Sequence, residues 1–518
     1  MDRTLPGFKV LPTSGIASRV VHLFLSVLRY ISQIIFHCVA NVFSNPFPKL
    51  PRVYGYPILG LLPQSCNDGL PASTRDLFEA AAHDGASWAW IGPLPLVYIR
   101  DPSLIRKVFV ENEHRISRVG SNGRGPFSIL ERTVGDMVLT AEGEQWSKWH
   151  RSFVKNVNTT PAHKRYYPNI LRIAGRHVEK LRIQKSGDDI FHAVQDFSLD
   201  AAWSLALGID DAAASSVNLL KTFAQFSLYP GNLSHLWRHR IRNMIWGRPN
   251  GAADTIEQSM KHRIDTCLKA FLEGHIAQLN PDIPDRNGRF SFLQDVSRAS
   301  GGTAQNPITG DVMAQARQMF VFGHEASASL VFWAMYEVSL HPDVARNIRS
   351  ELLAHGWSKD NANFETLREL SYLDAVFNEV LRVHPPVLNT ARLVDQPIEL
   401  QTRNSDAVII PRDTMVISSI HFLHHDSQVW EHADAFRPER WKDLLPNALE
   451  NKCEYIPFLA GRRRCPSSNF VALQVKVMLA MLFSQLDLEL PGVENMEDKL
   501  DIVVRPSQPV KYVVRELQ

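Results

Sequence analysis

The segment Phe458-Leu-Ala-Gly461-Arg-Arg463-Arg-Cys465-Pro466-Ser467 sets one thiol behind three consecutive arginines and ahead of an apolar run. A loop that ends at a helix N-terminus offers free backbone N–H groups and the positive end of the helix dipole. Both favour anionic sulfur. Arg462, Arg463 and Arg464 add positive charge that lowers a thiol pKa and can pair with carboxylates of a ligand. Gly461 permits a tight turn, and Phe458 can cover the sulfur and exclude water. Such a thiolate can ligate a metal or act as a nucleophile. A buried structural cysteine beside a basic surface loop is the plainer alternative. With Cys38, Cys66, Cys267 and Cys453 the total is five, an odd number at irregular spacing with no C-x-x-C pair. Neither a disulfide framework nor a structural zinc site is expected, so a metal would rest on one thiolate or on other residue types.

Charge is placed suggestively elsewhere. Glu379-Val-Leu-Arg382 puts two opposite charges on one helix face at i, i+3. Val376, Phe377, Val380 and Leu381 around them predict burial, and a buried pair needs a further partner. Phe436-Arg-Pro438-Glu-Arg440-Trp441 offers Arg440.

These groups must be carried by a large, mainly helical body. The chain has 518 residues, 45% of them hydrophobic and 21% charged, enough apolar material for a substantial core. A net charge of +2 gives no overall drive toward nucleic acid or anionic membranes. One long helix is predicted from Asp311 to Leu340, capped by Thr309 and stopped at His341-Pro342. Its second half is apolar around most of its circumference and should cross the interior. A second helix is predicted over Tyr372–Val383 before His384-Pro385-Pro386, and a third after Cys465. Short strands are predicted near 89–99, 398–417 and 501–514. Residues 1–45 contain an apolar stretch, 16–43, long enough for a membrane anchor although Arg29 interrupts it. An interfacial helix is the second reading and a cleaved signal the third. Residues 46–70 read as a proline-rich spacer and 71–518 as the catalytic body. No Walker loop and no G-x-G-x-x-G between strand and helix appears. Redox chemistry here would draw electrons from another protein.

The cysteine segment resembles the haem-ligand signature of the cytochrome P-450 family, F-x-x-G-x-R-x-C-x-G. Phe458, Gly461, Arg463 and Cys465 match in register, and Ser467 replaces the last glycine. Glu379, Arg382 and Arg440 resemble the family's structural triad, with Trp441 in place of a phenylalanine. Phe322-Gly323-His324-Glu325-Ala326-Ser327 resembles its oxygen-groove motif. Ala326 stands where a threonine is usual and Phe322 where a small residue is usual. Trp146-Ser-Lys-Trp149-His150 resembles its W-x-x-x-R element, with histidine for arginine. The match extends over nearly all the chain after residue 46.

The resemblance implies a cytochrome P-450 fold, mainly α with a minor β portion. It implies haem b held by Cys465, covered by Phe458, and with its propionates on Trp146, His150, Arg392 and Arg463. Glu325, Gly323 and Ser327 are the implied groove and proton-delivery residues. Phe322, Ala326, Val387 and Leu388 are the expected substrate wall, with Phe320, Thr390 and residues 115–132 and 222–246 as further candidates. The implied reaction is insertion of one oxygen atom from dioxygen into an apolar metabolite, with electrons from NADPH through a separate flavoprotein reductase. Lys148, Arg151, Lys155, Arg462 and Arg464 are the expected docking cations. The anchor and proline spacer resemble the microsomal branch, which implies the endoplasmic reticulum membrane and a cytosol-facing body; the family resemblance as a whole implies a fungal biosynthetic role. The sequons at Asn158 and Asn232 should then stay unmodified. A haem-thiolate isomerase, dehydratase or peroxide-using enzyme is the alternative, favoured by Ala326.

Overall fold

The computed structural model describes residues 45–55, 61, 69–91, 94–120, 125–211, 251–284, 290–404, 407–493, 496, 498–500 and 503–517. The expected anchor and the 222–246 stretch, with Asn232, lie outside them, apart from Asn45. Among the described residues no helix is long and apolar enough to cross a membrane.

Helices build most of the molecule. Helix α1, Gly143–Val157, buries Trp146, Trp149, Phe153 and Val157, one stripe of a helical repeat. Helix α2, Thr160–Gln184, is capped by the Thr159 hydroxyl accepting from the Ala162 amide. Helix α3, Ile190–Leu207, starts at the Asp189 cap and ends where Gly208 turns left-handed. The expected single helix over 311–340 is two. Helix α4 covers Gly310–Phe322, capped by Thr309 as expected, and helix α5 covers Glu325–Leu340. Helix α6, Ser371–Val383, stops before His384-Pro385, where the residue ahead of proline is driven from helical geometry. Helix α7, Ser468–Phe483, follows Cys465 and is buried along almost its whole length. It packs on α2, α5 and α6, while α3 packs on α5. One continuous apolar core joins these helices.

The β portion is smaller. Strands β1 (Ala86–Ile91), β2 (Leu94–Ile99), β3 (Ile116–Ser117), β4 (Asn389–Val394) and β5 (Met415–Ser419) form one sheet in the order β1-β2-β5-β4-β3. Only the β2–β5 pair is parallel. A hairpin pairs 398–401 with 407–410, and 512–516 joins 486–489 and 186–187. The described start of the proline-rich stretch does not hang free. The Val53 amide donates to the Trp88 carbonyl of β1 at 2.8 Å, the Trp88 amide donates to the Pro51 carbonyl at 2.9 Å, and Phe47 packs edge-on against Trp88 at 5.6 Å.

Two features position the site. Strand β4 carries Arg392 inward, where it is buried. The triad pins the loops below α7. Glu379 and Arg382 are wholly buried. The Glu379 carboxylate accepts from Arg382 (2.8 and 3.0 Å), Arg440 (2.9 Å), the Arg437 amide (2.8 Å) and the Trp441 indole (2.9 Å). Arg382 spends its other hydrogens on the His424, Ala433 and Ala435 carbonyls. The family's phenylalanine could not donate; Trp441 adds a donor to the network.

Candidate functional site

The cysteine loop is held from both ends. The Cys465 amide donates to the Phe458 carbonyl at 2.9 Å and the Arg464 amide to the Gly461 carbonyl at 3.1 Å. Gly461 has φ +72, and a Cβ there would meet the Phe109 carbonyl oxygen at 2.4 Å. Conformation and close approach therefore both demand glycine. The loop delivers Cys465 to the wall of a cavity beneath the α4–α5 junction. Phe458, Cys465 and Ser467 line one side; Phe322, Glu325 and Ala326 line the other. Ser467 Oγ lies 3.4 Å from Cys465 Sγ. Cys453, by contrast, is buried in packing, and burial pushes its thiol up to about 11.

One flank of the cavity is rich in positive charge. Arg463 donates to the Ala141 carbonyl at 2.8 Å, pairs with Glu142 and lies over the Trp146 ring at 4.1 Å. The Trp146 and His150 rings sit 4.8 Å apart. Arg118 is buried and donates to the Leu139 and Arg463 carbonyls, both at 3.1 Å. Arg392 lines the adjoining cleft, which shares Arg118, Trp146 and Arg463 with the cavity. Burial, then the charges of Arg392 and Arg463, push the Arg118 guanidinium down. Burial, then Arg463, pushes Arg392 down to about 10. Burial holds His150 below the ordinary imidazole value; a hydrogen bond to the Arg464 backbone opposes it in part, and the charges of Arg118, Arg463 and Arg462 lower it further.

This arrangement fits haem b. Arg118, Arg392 and Arg463 face two nearby carboxylates, Glu113 and Glu142, and leave positive charge that a dianionic ligand would balance. Arg118 Nε, Arg464 Nε and His150 Nε2 are buried polar atoms without a protein partner, and all three residues line the cavity. A buried donor left unsatisfied costs about 1–3 kcal/mol, so the Arg118 and Arg464 Nε–H groups call for an acceptor. A cysteine that could ligate iron and buried donors that could take carboxylates are the two things such a ligand would need.

The opposite wall shows where sequence expectation and geometry part. Gly323 and His324 break the helix. A Cβ on Gly323 would meet the Met319 carbonyl oxygen at 2.3 Å, so this close approach needs glycine. Glu325 faces the cavity, with His324 Nε2 at 3.4 Å from its carboxylate. Burial pushes the Glu325 carboxyl up. The His324 hydrogen bond and charge, helped by Arg505 and Gln195, outweigh that and hold it below its ordinary value.

Ser327 is buried and absent from the cavity wall; one helical position from Ala326 turns it about 100° away. Gly323 shapes the break without lining the wall, and Phe320 is in the apolar core. Val387 lines the cavity, but Leu388 faces a separate pocket beside His384 and His421. Thr390 is buried and accepts from Arg392. Of the expected docking cations, Lys148 reaches Asp311 at the start of α4 and Arg464 pairs with Glu450. Arg151, Lys155 and Arg462 remain exposed. Arg118 and Glu142 were not singled out by motif. Their only signal was charge in a stretch otherwise read as substrate-contacting loop or helix start.

The family model for Cytochrome P450 matches residues 48–514. The chain is 24% identical over 415 residues to 11-oxo-beta-amyrin 30-oxidase of Medicago truncatula, covering 78% of this chain and 75% of that protein. It is 26% identical over 447 residues to human Cytochrome P450 3A5, covering 82% and 84%. A solved structure of retinoic acid bound cyanobacterial CYP120A1 superposes with TM-score 0.71 at 18% identity, over 91% of this chain and all of that one. The last likeness speaks to fold.

Proposed function

The chain belongs to the cytochrome P450 family, whose members related to it are monooxygenases, and from that premise we propose a membrane-associated, biosynthetic haem-thiolate monooxygenase acting on an apolar metabolite. The observation that carries this reading is Cys465 in the wall of a cavity lined also by Arg118 and Arg464, each of which has a buried Nε without a protein partner. Haem, when bound, supplies iron chemistry that activates dioxygen. Cys465 is the residue that would hold the iron. Arg118, Arg463, Trp146, His150 and, through the adjoining cleft, Arg392 would hold and orient the propionates. Phe458 shields the sulfur from water.

Glu325 is the proton-handling group of the opposite wall. Its carboxylate is ionised at neutral pH because His324 offsets the cost of burial. It can therefore accept a proton at Oε1 or Oε2 and release it toward the cavity. Phe322, Ala326, Leu330 and Val387 present apolar surface that favours an apolar substrate and excludes water. A biosynthetic role is supported by the name of the Medicago relative, which oxidises a β-amyrin derivative by that name. Electrons would come from NADPH through a flavoprotein reductase steered by Arg151, Lys155 and Arg462. The apolar stretch at 16–43 supports attachment to the endoplasmic reticulum membrane with the body in the cytosol.

A second reading has its own observation. No hydroxyl stands at position 326, and Ser327 is turned from the wall. That favours a haem-thiolate enzyme that uses peroxide or isomerises its substrate without a reductase. Turnover of a panel of terpenoid and polyketide substrates decides between them. Product that requires NADPH, reductase and dioxygen supports the monooxygenase; product formed without reductase supports the second reading.

A further inference from the structure

The cysteine loop carries a polar group that the family's glycine cannot supply. Ser467 is the N-cap residue of α7, with φ −122 and ψ 16, backbone that any residue adopts. A serine at an N-cap ordinarily accepts from the second or third amide of its helix. Here it makes no such bond. The second amide, that of Asn469, is taken instead by Asn158 Oδ1 at 2.8 Å, reaching across from the end of α1. Asn158 Nδ2 also donates to Ser468 Oγ at 3.4 Å. The cap is thus provided from outside, and the Ser467 hydroxyl points at Cys465 Sγ, 3.4 Å away.

Resting on the haem-thiolate reading, we propose that Ser467 is a positioning and tuning residue that donates a hydrogen bond to the Cys465 thiolate and raises the reduction potential of the bound iron. A thiolate has no proton to give, so between these two atoms the hydroxyl is the donor. Hydrogen bonds to a ligating sulfur draw charge from it and favour the reduced metal, the usual protein control over thiolate-ligated iron. The step affected is uptake of one electron by the iron, with no bond made or broken. In the test the electron comes from dithionite. Asn158 supports the arrangement by leaving the hydroxyl free.

The test is a dye-mediated redox titration of purified holoprotein with Ser467, Ser467→Ala, Ser467→Gly and Ser467→Thr. Each is accompanied by the iron–sulfur stretch in resonance Raman spectra and by the carbon-monoxide difference spectrum. Loss of the hydroxyl in Ser467→Ala and Ser467→Gly should shift the ferric–ferrous equilibrium about tenfold toward ferric, ~59 mV for one electron, and raise the stretching frequency. Ser467→Thr keeps the hydroxyl and should stay near the wild type on both readouts. Equal potentials and stretches in all four proteins, with a thiolate-type Soret band present, overturn the inference alone. So does Ser467→Thr shifting as far as Ser467→Ala. A wild type without that Soret band overturns the haem-thiolate reading along with it.

Discussion

The two walls of the cavity are built on different physical terms. On one side, Cys465 hangs from a loop fixed by Gly461, and elsewhere in the same body a buried network gives Glu379 donors from Arg382, Arg437, Arg440 and Trp441. On the other, the helix is broken at Gly323-His324, and Glu325, the acidic group at the wall among the described residues, has the His324 ring nitrogen 3.4 Å from its carboxylate. Buried charge admits little variation, because every unpaired group carries a desolvation penalty. The opposite wall has to admit a substrate, and departures there, Phe322 and Ala326, change cavity shape without orphaning a charge. The family pattern accordingly holds in the triad and loosens where the substrate would lie.

Breaking the buried network should have the largest effect. Glu379→Ala leaves the Arg382 guanidinium buried without its carboxylate, a loss of about 3–5 kcal/mol. The expected outcome is protein that fails to retain haem and unfolds at much lower urea. Glu325→Gln should instead leave the fold and the haem spectrum intact and slow turnover about 10²-fold; a single-turnover assay with reduced enzyme checks it. Removing the Arg118 charge with Arg118→Leu should speed haem loss to apomyoglobin by about ten- to a hundredfold, the equivalent of ~1.5–3 kcal/mol for a charged hydrogen bond. Trp441→Phe deletes one neutral donor to Glu379 and should cost about 1 kcal/mol in urea unfolding. The finest distinction concerns pH. The lowered Glu325 pKa means its ionised form stabilises the fold above the ordinary value of 4.5, and that contribution disappears as pH falls through the lowered value. His324→Gln removes the imidazole that lowers the Glu325 carboxyl, weakens the balance against burial, and should move the acid limb of turnover upward in a pH–rate profile.

What could be read from the chain follows the same division. The cysteine loop and the Glu379–Arg382 pair are local patterns, in which spacing sets geometry, and Arg440 joins them through one short segment. The Thr309 cap and the stop at His384-Pro385 were legible for the same reason. Arg118 was not, because its role arises from tertiary closure: it reaches Arg463, 345 positions away, only when the loop folds over α1. Glu142 joins Arg118 and Arg463 by the same closure. The break at Gly323 was legible only as a loosening within one long helix, because the close approach of the Met319 carbonyl that ends α4 is a backbone event. Lys148 read as a thiolate-side cation because its neighbours in sequence are basic, yet its long stem carries the ammonium to Asp311.

The central claim is that Cys465 ligates haem iron as a thiolate. The direct measurement is the difference spectrum of the reduced, carbon-monoxide-bound protein, wild type beside Cys465→Ala. The account predicts a red-shifted, thiolate-type Soret band in the wild type and its loss in the variant. A wild type with no haem band, or a variant that keeps the shifted band, would contradict it.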